Sequence, residues 1–95
     1  MEDTFIKAYD SIMREKELDL YESFLLCRYI NKYTRYETII VSDTEDAKYL
    51  KIDRKYVGKK RKRLKELGYI DYTSKKGQPT EVKLDKSVLE FLGIK

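Results

Sequence analysis

The strongest concentration of charge in the chain is residues 51–65, where nine Lys or Arg residues and one Asp give a net charge of +8. Residues 1–50 carry a net charge of −4, and residues 66–95 carry a net charge of zero. Apolar side chains recur at helical intervals within the basic segment, at Val57, Leu64 and Leu67. Lysines cluster on the opposite side of the helix, at Lys55, Lys59 and Lys62. The pattern predicts an amphipathic helix with one buried face and one cationic face suited to a polyanion.

The residue inventory offers little for catalysis or metal binding. The chain has no histidine for proton transfer near neutral pH, and its single cysteine, Cys27, excludes a Cys cluster. No serine stands in a recognisable nucleophile motif beside a base. We therefore expect no enzyme activity, no cofactor and no metal site, and we expect Cys27 to be a small core residue.

The length and composition favour one soluble domain spanning residues 1–95. Hydrophobic residues make up 41% of the sequence, a share too high for a disordered chain. Charged residues make up 40%, and no apolar run is long enough to cross a membrane. No secretory leader is recognisable, and one cysteine cannot form an internal disulfide. These features predict a cytoplasmic protein without a membrane partner.

The first half of the chain predicts two helices, a strand and a third, short helix. Apolar spacing predicts an N-terminal helix within residues 1–15. Asp19 and Glu22 match a capping box that opens a second helix reaching about Tyr33. The β-branched segment 37–41 predicts a strand. A second capping box then opens a short helix over residues 43–50, formed by Ser42 and Glu45.

The second half predicts the basic helix, a hairpin and a terminal helix. Asp53 can cap the basic helix at its start, and Gly68 ends it. Extended segments at 69–74 and 80–84, joined by a glycine-containing turn, predict a β-hairpin. Residues 85–93 predict a short C-terminal helix.

This order of elements, and the residues between them, resemble a winged helix-turn-helix. Five residues match the helix-turn-helix pattern in order. They are a small residue, Ala47, then Leu50, the aliphatic Ile52, the capping residue Asp53 and the aliphatic Val57. It continues toward the wing at Leu64, Gly68 and Ile70. The match covers about residues 38–84.

Two positions depart from the family's pattern. Lys51 stands where the turn often has Gly, which predicts either a positive φ or a differently shaped turn. Arg61 lies about 40° from Val57 around the helix, where an aliphatic residue is usual. Either its stem covers the core while the guanidinium reaches the surface, or the helix is rolled relative to the family.

The resemblance implies an α+β fold: a mainly helical winged helix-turn-helix with a C-terminal β-hairpin wing and flanking N- and C-terminal helices. It implies sequence-specific binding of double-stranded DNA, either by a transcriptional regulator or by a centromere-binding protein of a plasmid partition system. It also implies that the protein is associated with the nucleoid. A partner protein of such a system is left open. So is a different class of function, an interaction module whose basic helix grips an acidic protein or RNA.

The resemblance also assigns the DNA-binding residues. Base edges would be contacted from the start of the basic helix by Arg54, Lys55, Tyr56 and Lys59. Phosphates would be contacted further along by Lys60, Lys62 and Arg63. The wing tip would reach the minor groove or flanking phosphates through Lys75, Lys76 and Gln78, unless it is an ordinary solvated turn. Further phosphate contacts are predicted at Ser42 and Thr44, unless these residues serve capping alone.

Two further expectations concern Gly58 and the terminal helices. Gly58 is a poor helix former, and it either permits close approach of the helix backbone to DNA or is simply tolerated. A lone N-terminal helix is marginal in water, so its apolar face needs a partner. We expect a two-fold homodimer through the terminal helices, with an interface formed by Phe5, Ile6, Tyr9, Ile12, Phe91 and Leu92.

Overall fold

The computed structural model describes residues 18–73 and 77–91, and the side chains of all of these except the last. The described helices are α1 (Leu20–Tyr36), α2 (Asp43–Leu50), α3 (Arg54–Glu66) and α4 (Lys86–Phe91). The described strands are β1 (Ile39–Val41), β2 (Ile70–Thr73) and β3 (Thr80–Leu84). The predicted α+β winged helix-turn-helix is confirmed in this order of elements. The N-terminal helix predicted within residues 1–15 lies outside the described residues.

Helix α1 is the central core element, as its apolar pattern predicts. It begins with the predicted capping box, in which Asp19 accepts from the backbone N–H of Glu22 and Glu22 accepts from that of Asp19. Leu25, Tyr29 and Ile30 on its inner face are fully buried. The helix runs to Tyr36, one turn beyond the predicted end, because Glu37 adopts the left-handed conformation, with a φ of 60°, that closes it.

The three strands form one antiparallel sheet in the order β1, β3, β2. In this register Ile40 lies opposite Glu81, and Asp71 lies opposite Lys83. Ile39 and Val41 are buried while Ile40 is 56% exposed, so the sheet packs one face on the helices. The strand predicted over 37–41 is shorter than expected, because Glu37 belongs to the end of α1. Strands β2 and β3 form the predicted wing hairpin.

Helices α2 and α3 meet at a tight turn built from residues 51–53. Lys51 has a φ of 59° and a ψ of 44°, so the predicted alternative of a positive φ is confirmed, with a lysine in a conformation that favours glycine. The backbone N–H groups of Lys51 and Ile52 both donate to the carbonyl of Ala47. The small Ala47 side chain is buried.

Candidate nucleic-acid interface

Helix α3 is positioned by its ends and by its apolar face. Asp53 Oδ1 accepts from the backbone N–H of Lys55 at 3.1 Å, which confirms the predicted cap. Val57 and Leu64 are completely buried. The helix ends at Glu66, and Gly68 takes a φ of 86° in the turn that leads into β2. One face of α3 is therefore fixed against the core and the opposite face is left to solvent.

A buried arginine lies at the centre of the contact between α3 and its neighbours. Arg61 is only 3% exposed, and its Nη2 donates to Asp46 Oδ2 of α2 at 2.7 Å. Its Nη1 donates to Asp43 Oδ1 at 2.7 Å, and its Nε donates to the hydroxyl of Tyr29 on α1 at 2.9 Å. Of the two alternatives predicted for Arg61, the one in which its guanidinium reaches the surface is wrong, because Asp46, itself fully buried, supplies the compensating charge inside the protein.

Tyr29 and Arg28 complete the polar cluster around Asp46. The Tyr29 hydroxyl donates to Asp46 Oδ2 at 2.6 Å, and Arg28 Nε donates to Asp46 Oδ1 at 3.0 Å. Burial raises the pKa of the Tyr29 phenol well above its usual value, and the Asp46 carboxylate raises it further. Burial alone would lower the pKa of Arg61, but its contacts with Tyr29 and the two carboxylates outweigh burial and raise it. The cluster thus holds a neutral phenol and a charged guanidinium.

The cluster was missed by sequence reasoning, although one sign of it was visible. Arg61 interrupts an apolar helix face, and a buried arginine requires a carboxylate partner. Asp46 is that partner, but it lies in the first turn of α2, where an acidic residue is also expected for its favourable interaction with the helix dipole. No spacing rule distinguishes these two roles.

The exposed face of α3 carries a row of three lysines, Lys55, Lys59 and Lys62, which we call the lysine row. All three are exposed, and none forms a salt bridge among the described residues. The ring of Tyr56 is 43% exposed and lies beside two of them, with Lys55 Nζ 5.2 Å and Lys59 Nζ 5.6 Å from its centroid. Arg54 is also exposed, in the first turn of the helix.

Two other cations of α3 face α1 and are held by its capping box. Lys60 Nζ forms a salt bridge with Asp19 Oδ2, and Arg63 Nε donates to Glu22 Oε1 at 3.2 Å. Burial alone would raise the pKa of Asp19, but Lys60 and the backbone of Glu22 outweigh it and lower the pKa. These carboxylates partly neutralise two residues that sequence reasoning assigned to phosphate contacts.

The remaining predicted DNA-binding residues are placed as follows. Ser42 Oγ accepts from the backbone N–H of Glu45 at 3.1 Å, so its capping role is confirmed, and Thr44 is exposed in the first turn of α2. Gln78 is exposed beside Gly77, whose φ is 76°. Lys75 and Lys76 lie outside the described residues.

The predicted dimer interface cannot be placed in the structure. Phe5, Ile6, Tyr9, Ile12 and Leu92 lie outside the described residues, and Phe91 belongs to α4 without a described side chain.

The wing is tied to the end of α3 by Lys65. Its Nζ donates to the backbone carbonyl of Tyr72 on β2 at 2.9 Å and lies 3.2 Å from Asp71 Oδ1. The same ammonium lies 5.1 Å from the centroid of the Tyr72 ring. Lys65 therefore couples the orientation of the hairpin to that of α3.

Two other kinds of site are absent from the described ranges 18–73 and 77–91. No cluster of three or more His, Cys, Asp or Glu side chains there could hold a metal ion. No helix in those ranges is both long enough and apolar enough to cross a membrane.

The fold is that of a winged helix-turn-helix, and comparison with solved structures supports this class. The structure of S. aureus MepR bound to ethidium bromide, a winged-helix repressor of the MarR family, superposes with a TM-score of 0.61 at 11% sequence identity. The match covers 97% of this chain and 64% of that one, so the chain spans a little under two thirds of the repressor's length. No family model and no curated protein sequence matches the chain.

Proposed function

We propose that the chain binds double-stranded DNA by placing the exposed face of α3 in the major groove. The lysine row is the observation that carries this proposal, because three lysines lie on the side of a helix whose other side is fixed in the core. A major groove about 12 Å wide admits one helix, and its phosphate walls supply the negative charge that the row does not find among the described residues. The likeness of fold to a winged-helix repressor supports the same docking.

The positions along α3 divide the proposed contacts into two kinds. Arg54, Lys55 and Tyr56 lie in the first turn, where side chains of a groove-bound helix reach base edges. Lys62 lies two turns later and contacts a phosphate. Lys59 lies between them and contributes to base contacts. Lys60 and Arg63 reach phosphates only by leaving Asp19 and Glu22.

Elements on either side of α3 add contacts in this proposal. Ser42 and Thr44 at the start of α2 meet a phosphate through exposed backbone N–H groups and hydroxyls. The hairpin tip with Lys75, Lys76 and Gln78 reaches the minor groove or a flanking phosphate. Two copies of the chain, related by a two-fold axis, would place two α3 helices in successive major grooves about 34 to 36 Å apart.

The proposed biological role is that of a transcriptional regulator. The fold of a winged-helix repressor supports this role, and a centromere-binding role in plasmid partition would use the same α3 docking. Footprinting on DNA flanking the gene distinguishes the two. A regulator protects a single palindrome, whereas a partition protein protects an array of repeats.

The DNA-binding proposal is tested by comparing duplex DNA, single-stranded DNA and structured RNA of equal length in one titration. The key variant combines Lys55→Gln, Lys59→Gln and Lys62→Gln, and a control removes three charges elsewhere through Lys32→Gln, Arg35→Gln and Lys86→Gln. We expect duplex to bind tightest. We expect the lysine-row variant to bind duplex more weakly, with the salt dependence of log K lowered by about one, because Lys62 is the phosphate contact of the row and each lost phosphate contact contributes about one. Equal losses in both variants, or tighter binding to RNA, would contradict the proposal and favour an interaction module.

A further inference from the structure

Gly58 occupies the fifth position of the 13-residue helix α3, where glycine is unfavourable. A glycine in a helix interior costs conformational entropy and leaves backbone exposed to water. Such a residue usually has an internal reason, either a positive φ or a neighbour too close for a side chain. Gly58 has neither in the described structure.

The backbone of Gly58 is one that any residue could adopt. The glycines with positive φ in the described residues are Gly68 and Gly77, each in a turn. Among the described residues, a Cβ placed on Gly58 would meet nothing within 4 Å beyond its chain neighbours and the helix's own backbone. Alanine would therefore fit without a shift of any neighbour, and it would favour the helix. Nothing in the described residues, 18–73 and 77–91, requires glycine at this position.

The surroundings of Gly58 on the helix surface are strongly cationic. Residues three and four positions away are neighbours on a helix, and for Gly58 these are Arg54, Lys55, Arg61 and Lys62. Arg61 points inward to Asp46, while the other three are exposed. The missing side chain leaves a bare strip of helix backbone between Arg54 and Lys55 on one turn and Lys62 on the next.

We propose that Gly58 is the point of closest approach between α3 and the duplex, and that its lack of a side chain sets the depth to which the helix enters the groove. This inference rests on the proposed function, because it takes duplex DNA as the occupant. The exposed cations around Gly58 attract the phosphates, and the bare backbone lets the helix come close enough for the short first-turn contacts to form. In this proposal glycine lowers the stability of the free helix, and this loss is offset by closer contact with the duplex in the bound state.

The test is a side-chain size series at Gly58, measured as duplex affinity and as thermal stability of the free protein. We expect Gly58→Ala to raise the melting temperature by about 4 to 8 °C, because alanine favours the helix and meets no neighbour. We expect the same change to weaken duplex binding about tenfold, and Gly58→Leu to weaken it further. Glu90→Leu, which adds an exposed leucine on α4, serves as the control and should leave affinity within about twofold.

Three results would overturn the inference, and they differ from failure of the proposed function. The first is that the wild-type protein binds duplex and that Gly58→Ala and Gly58→Leu bind it equally well or more tightly. This result would show that glycine is merely tolerated at position 58. A lower melting temperature for Gly58→Ala would show that glycine serves the free fold. An affinity loss for Glu90→Leu as large as that for Gly58→Leu would show a general effect of surface leucine. If the wild-type protein binds no duplex, the proposed function itself is wrong.

Discussion

Arg61 of α3 and Asp46 of α2 form an ion pair inside the protein, with Nη2 and Oδ2 separated by 2.7 Å and both side chains at most 3% exposed. Together with the buried Val57 and Leu64, the pair fixes which side of α3 packs on the core, and so the direction in which the lysine row faces. Arg61 interrupts the apolar face of the helix, yet it helps to orient the cationic face.

Removing one partner of this pair should be strongly destabilising. Asp46→Ala leaves the Arg61 guanidinium buried without its main counter-charge, so we expect a loss of about 3 to 5 kcal/mol in the free energy of unfolding. Asp71→Ala, which removes an exposed partner of Lys65, is the matched control and should cost at most about 1 kcal/mol. Urea denaturation of both variants checks this, and equal losses would show that the buried pair has no special role.

The turn between α2 and α3 offers a gain in stability. Lys51 has a φ of 59°, a conformation that costs a non-glycine residue about 1 kcal/mol, so Lys51→Gly should stabilise the protein by up to about that amount. Lys48→Gly, inside α2, should instead cost about 1 kcal/mol. Chemical denaturation of the two variants should shift in opposite directions. A loss for Lys51→Gly would contradict the described turn.

Cys27 should make the protein less stable in alkaline solution. Burial raises the pKa of its thiol from 9.0 to about 11, so the thiol ionises more readily in the unfolded chain. The protonated, buried thiol contributes its full amount to the free energy of unfolding below pH 9, and this contribution is lost as the pH rises toward 11. Between pH 8 and 10 we expect ionisation of this thiol to lower the free energy of unfolding by about 1 kcal/mol. Cys27→Ala should show a correspondingly weaker decline over that range, and identical pH profiles would contradict the assignment.

The capping box of α1 should limit DNA affinity. Asp19→Asn keeps a side chain that can cap the helix but removes the charge that holds Lys60, so the ammonium becomes available to a phosphate. We expect tighter duplex binding and a salt dependence of log K steeper by about one. Asp85→Asn, at the start of α4, makes the same change in net charge and is the control. Equal effects of both changes would mean that only net charge matters.

Local rules predicted most of the elements because their determinants are close in sequence. The capping residues Asp19, Ser42 and Asp53 each act on a backbone N–H two or three positions away. The predicted start of the first strand was wrong because Glu37 ends α1 in a left-handed conformation that no local pattern required.

The parts of the site that sequence could not provide depend on distant pairs. Lys60 and Arg63 meet carboxylates 41 positions earlier in the chain, and Arg61 meets Asp46 15 positions earlier. Before folding, all three cations look equally available to a phosphate. The packing of α3 on α1 and α2 separates them from the lysine row.

In the proposed docking of α3, Arg54 contacts base edges and Lys62 contacts a phosphate. A salt series on one specific and one random duplex measures this difference. Arg54→Ala should cost about 1 to 3 kcal/mol on the specific site and lower the ratio of specific to random affinity, because a base contact is lost. Lys62→Ala should weaken both duplexes alike and lower the salt dependence by about one. If Lys62→Ala abolishes the ratio while Arg54→Ala preserves it, the helix docks in the opposite direction. If neither change alters binding to duplex, the exposed face of α3 does not bind DNA.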